Sequence, residues 1–289
     1  MPQWTILDVL KWTTGYFSAN LVDTPRLTAE ILLAEVLGID RIGLYIRFDQ
    51  PLSEDERDRF RALVKRRTLG EPVAYILGRK DFWKINLAVT PDVLIPRPET
   101  EILVEAALEM MPAENRRPPA RVIDMGTGSG AIVISLAHAR PDPLYFASDI
   151  SPAALRVAAG NAALNNVADR ISFFSANWFQ AVSPACSFDM ILSNPPYVPS
   201  GELGSLAPEI FGHEPFTALD GDADGLRDIA ALVAESPKYL VPGGVLVMEI
   251  GHDQRAAVAQ MAENRSEWKG VVFRRDYAGH DRIAILTTS

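Results

Sequence analysis

The chain has 289 residues, 48% of them hydrophobic, which is enough to bury a sizeable core and to permit two domains. A formal net charge of −9 leaves no electrostatic footprint for tight binding to a polyanion and disfavours a nucleic-acid substrate. Cys186 is the one cysteine, which excludes an intrachain disulfide and a cysteine-cluster zinc site.

The first part of the chain is helical by pattern. Asp23 or Thr24 is placed to cap a helix with Pro25 in its first turn, and Leu27, Ile31, Ala34 and Leu37 recur at helical spacing before Gly38. Ser53 and Glu56 form a capping box for a further helix, which ends in Lys65-Arg66-Arg67 before Gly70, as its dipole favours. These helices carry no chemistry: Trp4, Trp12 and the basic run suit either a plain helical bundle or a docking surface for a protein partner. Residues 71 to 95 read as a strand-rich connector, Glu99 to Met111 as a helix, and Ala113 to Ala120 as a polar, proline-containing break. From Arg121 strands and helices alternate in the α/β manner, with about six or seven strands by pattern, the last at Val245 to Ile250, Val271 to Arg274 and Ile283 to Leu286. The expected organisation is a helical docking domain over residues 1–80, a strand-rich connector with its helix over 81–113, and an α/β domain over 114–289. The N-terminus lacks the basic flank and apolar core of a signal peptide, and no apolar stretch is long enough to span a bilayer, so a cytoplasmic protein without a membrane partner is expected.

The α/β part opens with Val122-Ile123-Asp124-Met125-Gly126-Thr127-Gly128-Ser129-Gly130, after which Ala131 to Ala137 changes from strand-like to helix-like. A strand that meets alternating glycines and then a helix leaves bare backbone beside whatever ligand sits at the helix N-terminus. The next strand, Leu144 to Ala147, leads to Asp149, an acid placed at its tip to hydrogen-bond a ribose diol. Two ligands compete for such a site. Gly126, Gly128 and Ala131 satisfy the relaxed dinucleotide fingerprint, whereas Asp124 with Gly130 extends it to D-x-G-x-G-x-G. An acid at the loop entrance suits a ligand with an ammonium group, such as S-adenosylmethionine, and would repel a pyrophosphate.

Further along, the apolar run Phe188 to Ser193 ends in Asn194-Pro195-Pro196-Tyr197. The asparagine carbonyl can accept one N–H of a planar NH2 group. The prolines fix the backbone so that a second, main-chain acceptor is rigidly aimed, and Tyr197 offers a flat face for packing. A bare proline-rich strand exit is the plain alternative, which the glycine loop upstream disfavours. Asn177-Trp178 follows the strand Ile171 to Phe174 at the same sheet edge as Asp149 and can face an adenine. Arg97, Glu99 and Glu101 are candidates to close over the ligand, Glu249 ends a strand near the site, and His138, His213, His252 and His280 lack metal-ligand spacing, so no metal is expected.

Taken together, these motifs resemble the HemK/PrmC family of protein-(glutamine N5) methyltransferases. The resemblance runs over nearly the whole length, through Ser53 to Glu56, Glu71 to Gly78, Phe82-Trp83, Ile95 to Glu101, the glycine loop, Asn177 to Phe179, Asn194 to Tyr197, Glu214-Pro215 with Ala218-Leu219, Asp224-Gly225, and Asp276-Tyr277 with Arg282. The Ile95 to Glu101 and Glu71 to Tyr75 stretches are the specific ones; the glycine loop and Asn-Pro-Pro-Tyr are shared with amino-group methyltransferases of nucleic acid. The resemblance implies a class I, Rossmann-like methyltransferase fold with a seven-stranded sheet and a small N-terminal helical domain. It implies S-adenosylmethionine as cofactor, held by Gly126, Thr127, Gly128, Ser129, Gly130, Asp149, Asn177, Trp178 and Asn194. It also implies catalysis by Asn194, Pro195, Pro196 and Tyr197, and methylation of the glutamine in the Gly-Gly-Gln loop of peptide chain release factors. Family members usually carry Asp where Asn177 stands, which implies weaker cofactor binding here. An adenine-N6 methyltransferase would use the same acceptor pair on a flipped base, and a cofactor-binding protein without turnover would keep only the pocket. The acidic composition and the intact Asn194 to Tyr197 tetrapeptide count against these two in turn.

Overall fold

A computed structural model describes residues 4–185 and 187–289; Cys186 lies outside the described residues. The chain divides into two compact units, one running to Gly78 and taking in Ala207–His213, the other comprising Arg79–Leu206 and Glu214–Ser289.

In the first unit, α1 (Ile6–Ala19) starts at a capping box between Thr5 and Asp8, and α2 (Pro25–Leu37) follows. Neither proposed side-chain cap of α2 forms. Thr24 occupies the cap position at φ +44° with no capping bond, so the start is set by Pro25, whose ring supplies the helical φ and has no N–H to satisfy. The buried stripe of α2 matches the expected one only in part: Ala34 is buried and Leu37 packs against the core, but the stripe centres on Ala29, Leu32, Leu33 and Val36, while Leu27 is exposed. Apolar residues surround this helix, so spacing alone admits more than one stripe. Then come α3 (Arg41–Ile46), capped by Asp40, and α4 (Glu54–Thr68), which has the Ser53–Glu56 box and the basic last turn. The segment after it is not extended at first. Val73–Leu77 forms one helical turn, α5, because Pro72 and Gly78, the latter at φ +70°, bracket it as start and stop signals that override its β-prone side chains. Phe17, Leu32, Leu33, Phe60 and Ile76 meet in the core of this unit.

The second unit begins with the hairpin β1 (Arg79–Phe82) and β2 (Ile85–Ala88), then α6 (Pro98–Met110), β3 (Arg121–Met125), α7 (Ala131–Ala139), β4 (Leu144–Asp149), α8 (Pro152–Leu164), β5 (Ile171–Ser175) and β6 (Phe188–Ser193). The short α9 (Pro208–Phe211) belongs to the first unit, where Glu209 pairs with Arg67. The second unit resumes with α10 (Arg227–Glu235), β7 (Leu240–Glu249), α11 (Arg255–Glu263), β8 (Trp268–Arg275) and β9 (Asp281–Thr288). Its sheet has seven strands in the order β5-β4-β3-β6-β7-β9-β8, parallel from β5 to β7 with β9 antiparallel.

Alternation along the central strands builds a core on each face. Val122, Met190, Leu192, Val245 and Val247 turn to the face covered by α6 and α7, while Ile123, Ile191, Leu246 and Met248 turn to the face covered by α10 and α11. Phe82, Ile85 and Leu87 of the hairpin join the first of these cores, and Asn161 of α8 bonds both the N–H and the carbonyl of Ala88. Residues 79–113 thus pack as part of the sheet's own unit, because their apolar side chains find cover there. Among the described residues, no helix is long and apolar enough to cross a membrane.

Candidate active site

Strand order places the motifs. β3 lies between β4 and β6, so the chain leaves the sheet in opposite directions on its two sides, and a crevice opens beyond the carboxyl ends of these strands. Register then brings the loops together: Met125 pairs with Ser148 on one side and Ser193 on the other, and Asp149 pairs with Ser175. The glycine loop, Asp149, Asn177 and Asn194 therefore share one rim, although they are far apart in sequence. A cavity of about 770 Å³ opens there, lined by Gly126, Thr127, Gly128, Ser129, Asp149, Asn177, Trp178, Asn194 and Pro196 among the expected residues.

The loop geometry explains the glycines. Gly128 has φ +54°, and a Cβ there would meet nothing, so the space beside it is open to a ligand. Gly130 plays a different part and does not line the cavity. It precedes α7 at φ +84°, and a Cβ there would come within 2.6 Å of Ile134 Cδ1, so it lets the loop close on its own helix. The N–H groups of Gly126 and Thr127 donate to Ser148 O at 2.9 Å, and Asn161 Nδ2 donates to Ser129 O at 2.8 Å, fixing the loop from both sides.

Asp149 stands in the cavity wall with Oδ2 accepting from Gly128 N at 2.9 Å and Oδ1 from Ser151 N at 2.8 Å. Burial pushes its carboxyl above the ordinary 3.8, and the N–H groups of Ser151 and Gly128 oppose the shift. Each oxygen keeps a lone pair for a diol. Trp178 stands over Gly126, with its ring carbons 3.6 Å from the point a Cβ would occupy, and its Nε1 donates to Asp228 Oδ1 at 3.0 Å. It holds φ +47°, an unfavourable backbone for a bulky residue, kept in place by that bond and by packing.

Asp124 does not reach the ligand space. It is fully buried below the loop, where Thr127 Oγ1 donates to its Oδ2 at 2.6 Å and Oδ1 has no partner. Desolvation pushes its pKa up to about 7. An acid flanking a glycine loop thus reads from sequence as facing the ligand, whereas β3 carries it beneath the loop.

Asn194 is half-buried on the rim, and its Nδ2 donates to Thr100 Oγ1 at 3.2 Å. The Pro195 ring is buried and the Tyr197 ring packs away from the cavity, so neither side chain lines it. Tyr197 packs against the α10/α11 core, and its hydroxyl donates to Glu249 Oε1 at 3.1 Å, which leaves its face unavailable as the packing surface expected for a flat group. Of the charged residues expected to close over the ligand, Arg97 donates to Glu214 at 2.5 Å and Glu101 accepts from Trp83 N at 2.8 Å. Both stabilise the segment around the cavity. The lining residues that sequence reasoning missed include Thr100, Ile150, Phe216 and Asp228. Thr100 and Phe216 had a signal, since they lie inside the Ile95 to Glu101 and Glu214 to Leu219 stretches; Asp228 had none.

The sheet order, the glycine loop at the switch point and the acid at the tip of β4 define a class I methyltransferase, the class for which S-adenosylmethionine is the methyl donor. Among solved structures the chain is similar to a methyltransferase from Pyrococcus furiosus, at 16% identity and a TM-score of 0.51, covering 71% of this chain and 89% of that one. It is also similar to the catalytic domain of hMettl16 in complex with an RNA hairpin, at 17% identity and a TM-score of 0.58, covering 78% and 81%. Residues 8–78 match the PrmC N-terminal domain and residues 100–213 the methyltransferase small domain. The release factor glutamine methyltransferase of Geobacter sulfurreducens is 41% identical over 280 residues, covering 97% of this chain and 95% of its own. That of Rhodopirellula baltica is 39% identical over 281 residues, with the same coverage. The chain belongs to the release factor glutamine methyltransferase family.

Proposed function

We propose that this protein transfers a methyl group from S-adenosylmethionine to the side-chain amide nitrogen of the glutamine in the Gly-Gly-Gln loop of peptide chain release factors. The observation that carries the reading is the juxtaposition of Asp149 and Asn194 on one cavity at the switch point of the sheet, a carboxylate for the ribose and an amide for the reacting nitrogen. The cavity chemistry fits the cofactor: open space at Gly128, a carboxylate with spare lone pairs, and the Trp178 and Ile150 side chains for an aromatic base. Bound there, S-adenosylmethionine supplies an electrophilic methyl on a sulfonium. Gly126 to Ser129, Asp149, Asn177 and Trp178 hold it, with Gly130 shaping the loop.

An amide nitrogen is a poor nucleophile because its lone pair is delocalised into the carbonyl. Asn194 Oδ1 and the main-chain carbonyl of Pro195 accept its two N–H bonds, orient it toward the methyl, and stabilise the positive charge that develops on it. Pro196 walls the same space. The N-methylated product cation is strongly acidic, so no strong base is needed before transfer. The helical domain, residues 1 to about 80, supplies docking for another part of the release factor, and that remote binding energy positions the loop. Intact mass of purified release factor after incubation with enzyme and S-adenosylmethionine tests this. The expected gain is one methyl, lost when the loop glutamine is replaced. Radiolabel entering duplex DNA or RNA at a rate matching the protein substrate would replace this reading with the nucleic-acid amine one.

A further inference from the structure

Resting on the reading that Asn194 receives the substrate amide, we infer that Thr100 and Glu249 are positioning residues whose hydrogen-bond chain dictates which way the Asn194 amide faces. The side chains are brought together by strand parity. Ser193 pairs with Met248 across the parallel β6–β7 ladder, so Asn194 and Glu249 follow as the next opposed residues. Met190 and Leu192 before Asn194, and Val245 and Val247 before Glu249, turn to the α6 face. Thr100, in the first turn of α6, sits between the two: Asn194 Nδ2 donates to Thr100 Oγ1 at 3.2 Å, and Thr100 Oγ1 donates to Glu249 Oε2 at 2.6 Å. Tyr197 Oη donates to the other oxygen, Oε1, at 3.1 Å. Thr100 and Glu249 are 3% and 1% exposed, so water does not compete for these bonds.

The direction of the chain follows from its acceptor-only end. A carboxylate can only accept, and the threonine hydroxyl has one proton. That proton goes to Glu249, which leaves Thr100 an oxygen lone pair and nothing to donate toward Asn194. Only the NH2 end of the asparagine amide can satisfy such a neighbour. Oδ1 is therefore held away from Thr100, in the orientation that a substrate N–H requires. With the amide reversed, Nδ2 would meet the substrate NH2 donor to donor. Two buried groups thus select the productive orientation of the amide that receives the substrate.

Four single variants test this, Thr100→Val, Thr100→Ser, Glu249→Gln and Asn194→Ala, together with one double variant. Thr100→Val removes the hydroxyl at nearly constant volume, and Glu249→Gln adds a donor that permits the reversed chain. Each is expected to lower kcat on the release factor by on the order of 10²-fold, the scale of a misplaced reacting group, with KM for the factor nearly unchanged, and for Glu249→Gln, which does not line the cavity, with affinity for S-adenosylhomocysteine by calorimetry nearly unchanged as well. Thr100→Ser, which keeps the hydroxyl, recovers most of the turnover that Thr100→Val loses. Because the residues act through Asn194, Thr100→Val made on top of Asn194→Ala adds little further loss. Full turnover in Thr100→Val, or a double variant whose losses multiply, overturns the inference. Full turnover in Asn194→Ala overturns the underlying reading instead. If Glu249→Gln fails to fold, the threonine pair and the double variant still decide the matter.

Discussion

Replacing Asp124 by Asn should remove a loss of stability that wild type suffers as pH rises, with a pH profile that identifies the cause. Asp124 is fully buried, and desolvation raises its pKa from 3.8 to about 7 against the opposing pull of the Thr127 hydroxyl. Between these two values the folded chain keeps a proton that the unfolded chain has released. Stability therefore falls as pH rises through the window, by ~1.4 kcal/mol per unit, and the total is about 4 kcal/mol. Below about pH 3.8 both states hold the proton and above about 7 neither does, so the dependence flattens at each end. Asparagine is neutral throughout. The stability of Asp124→Asn minus that of wild type should accordingly climb by about 4 kcal/mol between about pH 4 and pH 8, the contributions of all other groups cancelling in the difference. Urea denaturation at a series of pH values measures it. A flat difference would refute the buried protonated carboxyl, and a difference that falls with pH would mean an ionised Asp124 with a partner in the folded state.

Other outcomes follow from the cavity itself. Asn194→Ala should lower turnover by about 10²- to 10³-fold, the cost of losing one transition-state acceptor, with little change in calorimetric affinity for S-adenosylhomocysteine. Gly128→Val fills the open space at φ +54° and Asp149→Ala removes the diol acceptor, so both should weaken that affinity while the far-ultraviolet circular dichroism stays unchanged; unaltered binding in either would move the cofactor elsewhere. Glu249 faces Thr100 and Glu99 of α6, Tyr197 after β6 and Arg282 of β9, and burial raises its pKa above the ordinary 4.5. An acid limb of kcat should therefore lie above pH 4.5 in wild type, where protonation reverses the bond to Thr100, and be missing in Glu249→Gln; a limb that persists in the variant belongs to another group.

Local chemistry was legible in the residues alone. The capping box at Ser53, the proline start of α2, the strand-to-helix change around Gly126 and the acid at the tip of β4 each depend on neighbours within a few positions, and a single chain carries that information. A fully buried strand such as β6 reads as a largely apolar run for the same reason. Where the outcome depended on what packs against a segment, sequence was mute. Leu27 looked as suitable for the core as Leu33, and only the surrounding helices decided between them. Asp124 and Tyr197 carried plausible chemistry, yet which face of the strand end each occupied sent one beneath the loop and the other toward Glu249. Thr100 became a neighbour of Asn194 across a separation of 94 positions through the register of β6 on β7 and the seat of α6 above them, a coincidence of three elements that no spacing along the chain encodes.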